Sequence, residues 1–162
     1  MIREATSRDI KAITEIYNEA IRQTTAVYTY NETTIEERTQ WLSKKQSEGW
    51  PVWIFESEGE IAGFATYGSF RDWPAYQFTI EHSVYVSARY RRKGIASKLL
   101  AHLVQDAMEK GYQTIIAGID ASNIGSIQLH EDHGFVSVGV LYKVGYKFNQ
   151  WLDLAFYQLQ LK

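Results

Sequence analysis

Apolar residues recur every three to four positions in several parts of the chain, the spacing that puts them on one face of an α-helix. Caps and glycines mark where these segments begin and end. Together they predict four helices: one that starts at Ser7, one capped by Thr33 or Thr34 and ended by Gly49, a long one over residues 94–110 closed by Gly111, and a short one over Asn123–Asp132.

Between the helices lie runs rich in Val, Ile, Tyr and Phe, which are typical of strands. They predict strands over residues 2–6, 52–55, 61–67, 79–86, 114–119, 136–148 and 151–161, with a hairpin turn at Glu58-Gly59. The predicted order is β-α-α-β-β-β-α-β-α-β-β. This order indicates an α/β fold around one mixed sheet, and no composition shift divides residues 1–162, so we expect a single domain.

Composition removes several classes of function. The net charge is −2, with 17 basic and 19 acidic residues, which argues against a general nucleic-acid binder. There is no cysteine, which excludes a disulfide scaffold, a thiolate metal site and a cysteine nucleophile. No apolar run is long enough for a membrane span, and no signal peptide is visible. We therefore expect a cytoplasmic protein without a metal cofactor.

The segment that follows the strand over residues 79–86 carries the clearest chemical signal. A short turn with Arg89, Arg91, Arg92 and Lys93 leads into the long helix at Gly94. Such a turn leaves backbone N–H groups unpaired, and the helix dipole adds positive charge at the same place. The segment therefore predicts a site for a diphosphate, since small residues there let phosphates approach the backbone. A solvated helix start is the simpler alternative.

Several motifs resemble those of a known family. Arg91-x-x-Gly94-x-Ala96 is similar to the pyrophosphate-binding signature of the GNAT superfamily of N-acetyltransferases. Within it, the chain resembles the phosphinothricin and methionine sulfoximine/sulfone N-acetyltransferases. The matching runs cover nearly the whole chain: Tyr17-Asn18, Thr24-Thr25-Ala26, Glu81-His82-Ser83-Val84-Tyr85-Val86, Leu129-His130-Glu131 and Gly145-Tyr146-Lys147-Phe148…Trp151-Leu152-Asp153.

The resemblance implies acetyl-CoA as co-substrate and a GNAT-type sheet, mostly antiparallel, splayed around the cofactor arm, with helices on both faces. It implies that Val84, Tyr85 and Val86 meet the pantetheine arm and the thioester, and that Asn123 hydrogen-bonds the arm or caps its helix. The residues that it assigns to binding of the diphosphate are Arg91, Arg92, Lys93, Gly94, Ile95 and Ala96. It also implies a homodimer.

Direct acetyl transfer needs a neutral amine, a polarised carbonyl and a protonated leaving thiolate. The resemblance assigns the first task to Glu81 and the last to His130, with Tyr142 or Tyr85 as alternative acids. The residues assigned to substrate binding are Phe70, Arg71, Asp72, Ile80, Glu81 and His82. His82 contacts the substrate or, alternatively, orients Glu81. Arg71 suits a carboxylate because guanidinium binds it by two parallel hydrogen bonds. The run Asp72-Trp73-Pro74 departs from the family pattern, so the exact substrate stays open.

The expected reaction is N-acetylation of a small amino-acid-like substrate by acetyl-CoA. Three alternatives remain open: acetylation of a peptide N-terminus or a lysine, a non-catalytic acetyl-CoA-binding module, and, on the basic turn alone, a nucleic-acid module. The last is disfavoured because four basic residues form only a small footprint.

Overall fold

Four helices and seven strands make up the fold of residues 1–162, which the computed structural model describes throughout. The helices are α1 (Ile10–Gln23), α2 (Ile35–Ser47), α3 (Ile95–Glu109) and α4 (Ile124–Asp132). Thr34 and Glu37 form a capping box that begins α2, which decides between the two predicted caps. The predicted start at Ser7 is wrong in detail: Thr6 caps a 3₁₀ turn over Ser7–Asp9, and α1 follows it.

The strands form one sheet. They are β1 (Ile2–Glu4), β2 (Val52–Ser57), β3 (Glu60–Ser69), β4 (Thr79–Val86), β5 (Thr114–Asp120), β6 (Val136–Lys147) and β7 (Gln150–Gln160). Their spatial order is β1-β2-β3-β4-β5-β7-β6, and β4–β5 is the single parallel pair. The predicted element order and the mostly antiparallel mixed sheet are confirmed.

The core lies on both faces of this sheet. On one face α1 and α2 cover β2 and β3 through a cluster of eight buried residues that includes Ile13, Leu42 and Phe64. On the other face α3 supplies Leu99, Leu100 and Leu103 to a cluster of eighteen. Helices therefore pack on both faces, as expected for a sheet that buries apolar residues on each side. None of the four helices is both long and apolar enough to cross a lipid bilayer.

The sheet opens between its two parallel strands. The β4–β5 pairing runs from Thr79↔Thr114 to Glu81↔Ile116 and stops there, although β4 continues to Val86 and β5 to Asp120. Beyond that point β4 pairs only with β3, and β5 pairs only with β7. Each strand thus presents one backbone edge without a strand partner to a wedge-shaped gap, and the predicted splay of the sheet is confirmed.

Candidate active site

A cavity of about 810 Å³ occupies the gap between β4 and β5. Its walls come from residues 82–86 of β4, residues 117–120 of β5, the start of α3, the start of α4 and the segment after α1. Of the predicted cofactor-binding and catalytic residues, the lining includes His82, Val84, Tyr85, Val86, Arg91, Arg92, Gly94, Ile95, Ala96, Asn123 and His130. One continuous cavity therefore joins the turn before α3 to the buried end of the splay.

The turn before α3 has the geometry of an anion cradle. Arg92 and Gly94 both adopt left-handed backbone conformations, with φ of 63° and 78°. The first hydrogen bond of α3 runs from the Lys98 amide to the Gly94 carbonyl (3.1 Å), so the amides of Ile95, Ala96 and Ser97 have no intrahelical acceptor. A Cβ at Gly94 would meet nothing within 4 Å, and Gly94 lines the cavity together with the three residues that carry these amides. These residues fit the diphosphate of a nucleotide cofactor.

Lys93 lies outside the cavity lining, and its ammonium lies 5.4 Å from the centroid of the Tyr90 ring. Its role in cofactor binding stays a prediction.

Glu81 lies at the inner end of the gap and is the last residue of β4 that pairs with β5. Its side chain leans across to β5, because a Cβ built at Gly118 would lie 3.6 Å from Glu81 Oε2. Burial raises the pKa of Glu81, and the positive charge of Arg71 opposes that shift. A half-buried carboxylate with a raised pKa is suited to proton transfer.

His82 points to the opposite face of β4 from Glu81, and the two side chains form no hydrogen bond. Its Nε2 lies 3.0 Å from Nε2 of His130, and Nδ1 of His130 lies 2.7 Å from the Ser126 carbonyl oxygen. Both imidazoles are buried and line the cavity. The structure thus brings the predicted acid His130 together with His82, which the resemblance placed in the substrate site.

The remaining predicted substrate residues lie outside the cavity lining. Phe70 packs edge-to-face on Tyr76, the exposed Arg71 lies with its guanidinium carbon 5.2 Å from the Phe70 ring centroid, and Asp72 accepts a hydrogen bond from Ser69. The charge of Arg71 nonetheless acts on Glu81. Ile80 is fully buried in the larger core cluster, so its side chain packs against protein.

Three further candidates are Asn123 and the two alternative acids, Tyr85 and Tyr142. The Asn123 side chain caps α4 by accepting from the Ser126 amide (3.1 Å), which the sequence offered as one of its two roles. Tyr85 packs against Tyr17 and Phe64 with ring centroids 5.4 and 5.2 Å away. Tyr142 is exposed on β6 and does not line the cavity, so Tyr85 is the better placed of the two alternative acids.

Sequence reasoning missed Asp120, a buried carboxylate at the end of β5 that lines the cavity. It accepts hydrogen bonds from Thr25 (2.9 Å) and Tyr28 (2.6 Å), which bind the segment after α1 to the sheet. Burial alone would raise its pKa, but hydrogen bonds from Ser122, Tyr28 and Thr25 outweigh burial and lower it. The signal available was an acidic residue that ends an apolar strand just before a helix cap.

Lys147 holds the same segment from the other side. Its ammonium is buried and donates to the carbonyls of Thr24 (2.7 Å) and Val27 (2.8 Å). Residues 24–28 therefore form a fixed wall of the cavity, tied to two strands that are remote in sequence.

The sequence model of the acetyltransferase (GNAT) domain matches residues 2–156. The chain belongs to the GNAT acetyltransferase family. A curated relative from Salmonella typhimurium, an L-methionine sulfoximine/L-methionine sulfone acetyltransferase, is 40% identical over 160 residues, which cover 99% of this chain and 94% of the relative.

Solved GNAT structures share the whole fold. An N-acetyltransferase from Staphylococcus aureus is 58% identical with a TM-score of 0.99, and the two chains are covered to 98% or more. A ribosomal-protein-alanine N-acetyltransferase from Brucella melitensis is 42% identical, with a TM-score of 0.97 and 99% of each chain covered. The Salmonella typhimurium protein yncA, solved with its cofactor acetyl-CoA, is 40% identical with a TM-score of 0.97, covering 100% of this chain and 94% of that one.

This GNAT protein is therefore an acetyl-CoA-dependent N-acetyltransferase, as the resemblance implied. Acetyl-CoA supplies an activated thioester carbonyl. The amide cradle before α3 and the open strand edges fit its diphosphate and its extended amide-bearing arm, because both need unpaired backbone donors and acceptors.

Proposed function

We propose that this enzyme acetylates the α-amine of a small amino acid of the methionine sulfoximine, methionine sulfone or phosphinothricin type. The observation that carries the proposal is Glu81 at the inner end of the gap, under the influence of Arg71. A carboxylate on which the charge of a guanidinium acts matches the ammonium and the carboxylate of an α-amino acid. The Salmonella typhimurium relative, an L-methionine sulfoximine/L-methionine sulfone acetyltransferase, supports the same substrate class.

In this proposal Glu81 draws the proton from the substrate ammonium, directly or through a water, and Arg71 binds the substrate carboxylate. Phe70 and Asp72 border the substrate from the same loop, and Ile80 supports the strand beneath it. The backbone of Val84, Tyr85 and Val86 aligns the thioester, and His130 returns a proton to the thiolate. Holding the amine and the thioester in near-attack geometry accounts for much of the expected rate acceleration.

A second candidate function is acetylation of a peptide N-terminus, which the name of the Brucella melitensis neighbour favours. An assay that compares L-methionine sulfone, L-methionine sulfoximine, L-phosphinothricin and an Ala-first peptide decides between them. Released thiol can be followed with a thiol reagent, because the chain itself contains no cysteine. We expect turnover of at least one of the three amino acids at far higher kcat/KM than the peptide. Turnover of the peptide alone would contradict the proposal.

We also propose that the enzyme works as a cytoplasmic homodimer. The exposed apolar side chains of the β6–β7 hairpin form a patch made of Val136, Val138, Leu141, Tyr142, Val144, Tyr146, Phe148 and Trp151. Many exposed apolar side chains on one hairpin are typical of an interface. Phe148 also lines the cavity, so a second copy seated on the patch reaches the active site.

Val138→Asp is expected to convert the dimer to a monomer, because a carboxylate in an apolar interface loses its hydration. Ile35→Asp is the matched control, since Ile35 is 53% exposed, Val138 is 52% exposed and Ile35 lies on α2 away from the patch. Sedimentation or light scattering measures the mass of each. A monomeric wild-type protein, or an Ile35→Asp protein that dissociates equally, would count against the interface.

A further inference from the structure

His82 on β4 and His130 on α4 meet at the buried end of the cavity. Their Nε2 atoms are 3.0 Å apart, and the two rings pack on Phe135 with centroid distances of 5.7 and 5.0 Å. The exposed fractions are 9% for His82 and 4% for His130, so little of either residue is available for hydrogen bonds to bulk water. Each hydrogen on these rings must therefore be accounted for within the protein.

The surrounding acceptors determine where the hydrogens lie. The Ser126 carbonyl can only accept, so Nδ1 of His130, 2.7 Å away, carries a hydrogen. In neutral His130 the Nε2 atom then holds a lone pair, and the 3.0 Å contact requires a hydrogen on Nε2 of His82. Neutral His82 is left with a bare Nδ1. That atom is buried and has no hydrogen-bond partner.

We propose that His82 is a positioning residue that fixes the tautomer of His130, and that the two imidazoles take up one proton as a unit. The inference deepens the role proposed above for His130 and to that extent rests on the proposed function. The tautomer itself depends only on the two hydrogen bonds just described.

A single added proton changes the state of both rings. It binds Nδ1 of His82, the ring nitrogen of the pair that has no hydrogen-bond partner, and the Ile116 backbone favours the protonated form of this ring. The hydrogen on Nε2 of His82 then moves to Nε2 of His130 across the 3.0 Å contact. One N–H bond forms at Nδ1 of His82 and one at Nε2 of His130, and one N–H bond breaks at Nε2 of His82. His130 ends as an imidazolium, with Nδ1 donating to the Ser126 carbonyl and Nε2 donating to His82.

Burial and the neighbouring charges oppose protonation of the pair. Burial and then His130 lower the pKa of His82 to about 3. Burial also lowers the pKa of His130, the Ser126 carbonyl opposes that shift, and His133 lowers it further. Glu81 lies on the other face of β4 and offers neither ring a counter-charge. The resting pair is therefore neutral at pH 7, and the proton that His130 returns to the thiolate is the second one lost by the substrate amine, which the pair takes up as the amide forms.

Nitrogen-15 NMR of the histidine rings tests this directly, and with four histidines in the chain the spectrum can be assigned residue by residue. At pH 7 without any ligand, His130 is expected to carry its hydrogen on Nδ1 and His82 on Nε2. On acidification we expect one proton to enter the pair below pH 6.5, with both rings changing together. Hydrogen on Nε2 of ligand-free wild-type His130 would overturn the proposal, whatever the enzyme's substrate proves to be.

Two substitutions separate positioning from packing. His82→Leu removes the donor, and we expect His130 to lose its single tautomer and kcat to fall at least about 10-fold. His82→Gln retains an N–H donor that cannot titrate, so it should restore the tautomer and keep kcat above that of His82→Leu while changing the pH profile. His102→Gln, on the exposed side of α3, is the control and should match wild type. Equal tautomers and equal pH profiles in all three variants would overturn the proposal.

Discussion

Glu81→Gln is expected to lower kcat/KM for the amino-acid substrate by about 100- to 1,000-fold, the usual contribution of a positioned general base. The amide keeps the size of the side chain and its place next to Gly118, but it cannot accept the ammonium proton. Binding of acetyl-CoA is expected to stay at its wild-type value, because Glu81 lies outside the cavity lining. Steady-state kinetics and calorimetry measure the two quantities separately.

The pH dependence gives this prediction a second readout. A general base works in its ionised form, and burial raises the pKa of Glu81 above its usual value. Activity of the wild type should therefore fall as the pH drops through this raised pKa. This fall in activity at low pH should be absent in Glu81→Gln, because the glutamine side chain does not titrate.

Glu131→Gln is the matched control, since Glu131 is an exposed carboxylate next to His130 in sequence. It should retain wild-type kinetics and the wild-type acid limb. If Glu81→Gln behaves in the same way as Glu131→Gln, the base is a water molecule or another group, and Glu81 serves at most to attract the substrate ammonium.

Gly94→Val is expected to weaken acetyl-CoA binding by at least 10-fold, equivalent to about 1.4 kcal/mol or more. Gly94 has φ of 78°, a conformation that a β-branched residue adopts only with strain. The added side chain also enters open space at the turn that carries the free amides of Ile95 and Ala96. Phosphate oxygens are then held away from the donors that the cradle provides.

Gly111→Val separates these two effects. Gly111 follows the other end of α3, has φ of 85° and has nothing within 4 Å of its would-be Cβ. Both variants should lose similar stability, roughly 1–3 kcal/mol for a strained backbone. Only Gly94→Val should lose affinity in a calorimetric titration with acetyl-CoA. Equal affinities for the two variants would place the diphosphate somewhere other than this turn.

The experiments on Glu81 and Gly94 fail independently. If Gly94→Val loses affinity for acetyl-CoA while Glu81→Gln retains wild-type kcat/KM, the proposed cofactor site is supported and Glu81 is not the base. If Gly94→Val binds acetyl-CoA with wild-type affinity, the turn before α3 does not bind the diphosphate, and this conclusion does not depend on the result for Glu81→Gln. The wild-type NMR experiment on His82 and His130 depends on neither result, because it needs no ligand.

Local signals in the sequence determined much of this protein. The period of apolar residues, the cap at Thr34 and the glycine at position 111 depend on neighbours within a few residues, so the helices were predicted to within a few positions. The turn from Arg91 to Ala96 is also local, because its free amides follow from one helix beginning after one strand. The family resemblance supplied the splayed sheet, which composition and periodicity alone do not specify.

The tertiary structure alone decided which distant residues meet. The hydrogen bond between His82 and His130 joins residues 48 positions apart, and the bond between Thr25 and Asp120 spans 95. Such contacts depend on how α4 and the segment after α1 pack against the sheet, and on buried polar groups finding partners there. No local pattern records that packing, so the sequence could name His82 and His130 as candidates but could not show that they share a hydrogen bond.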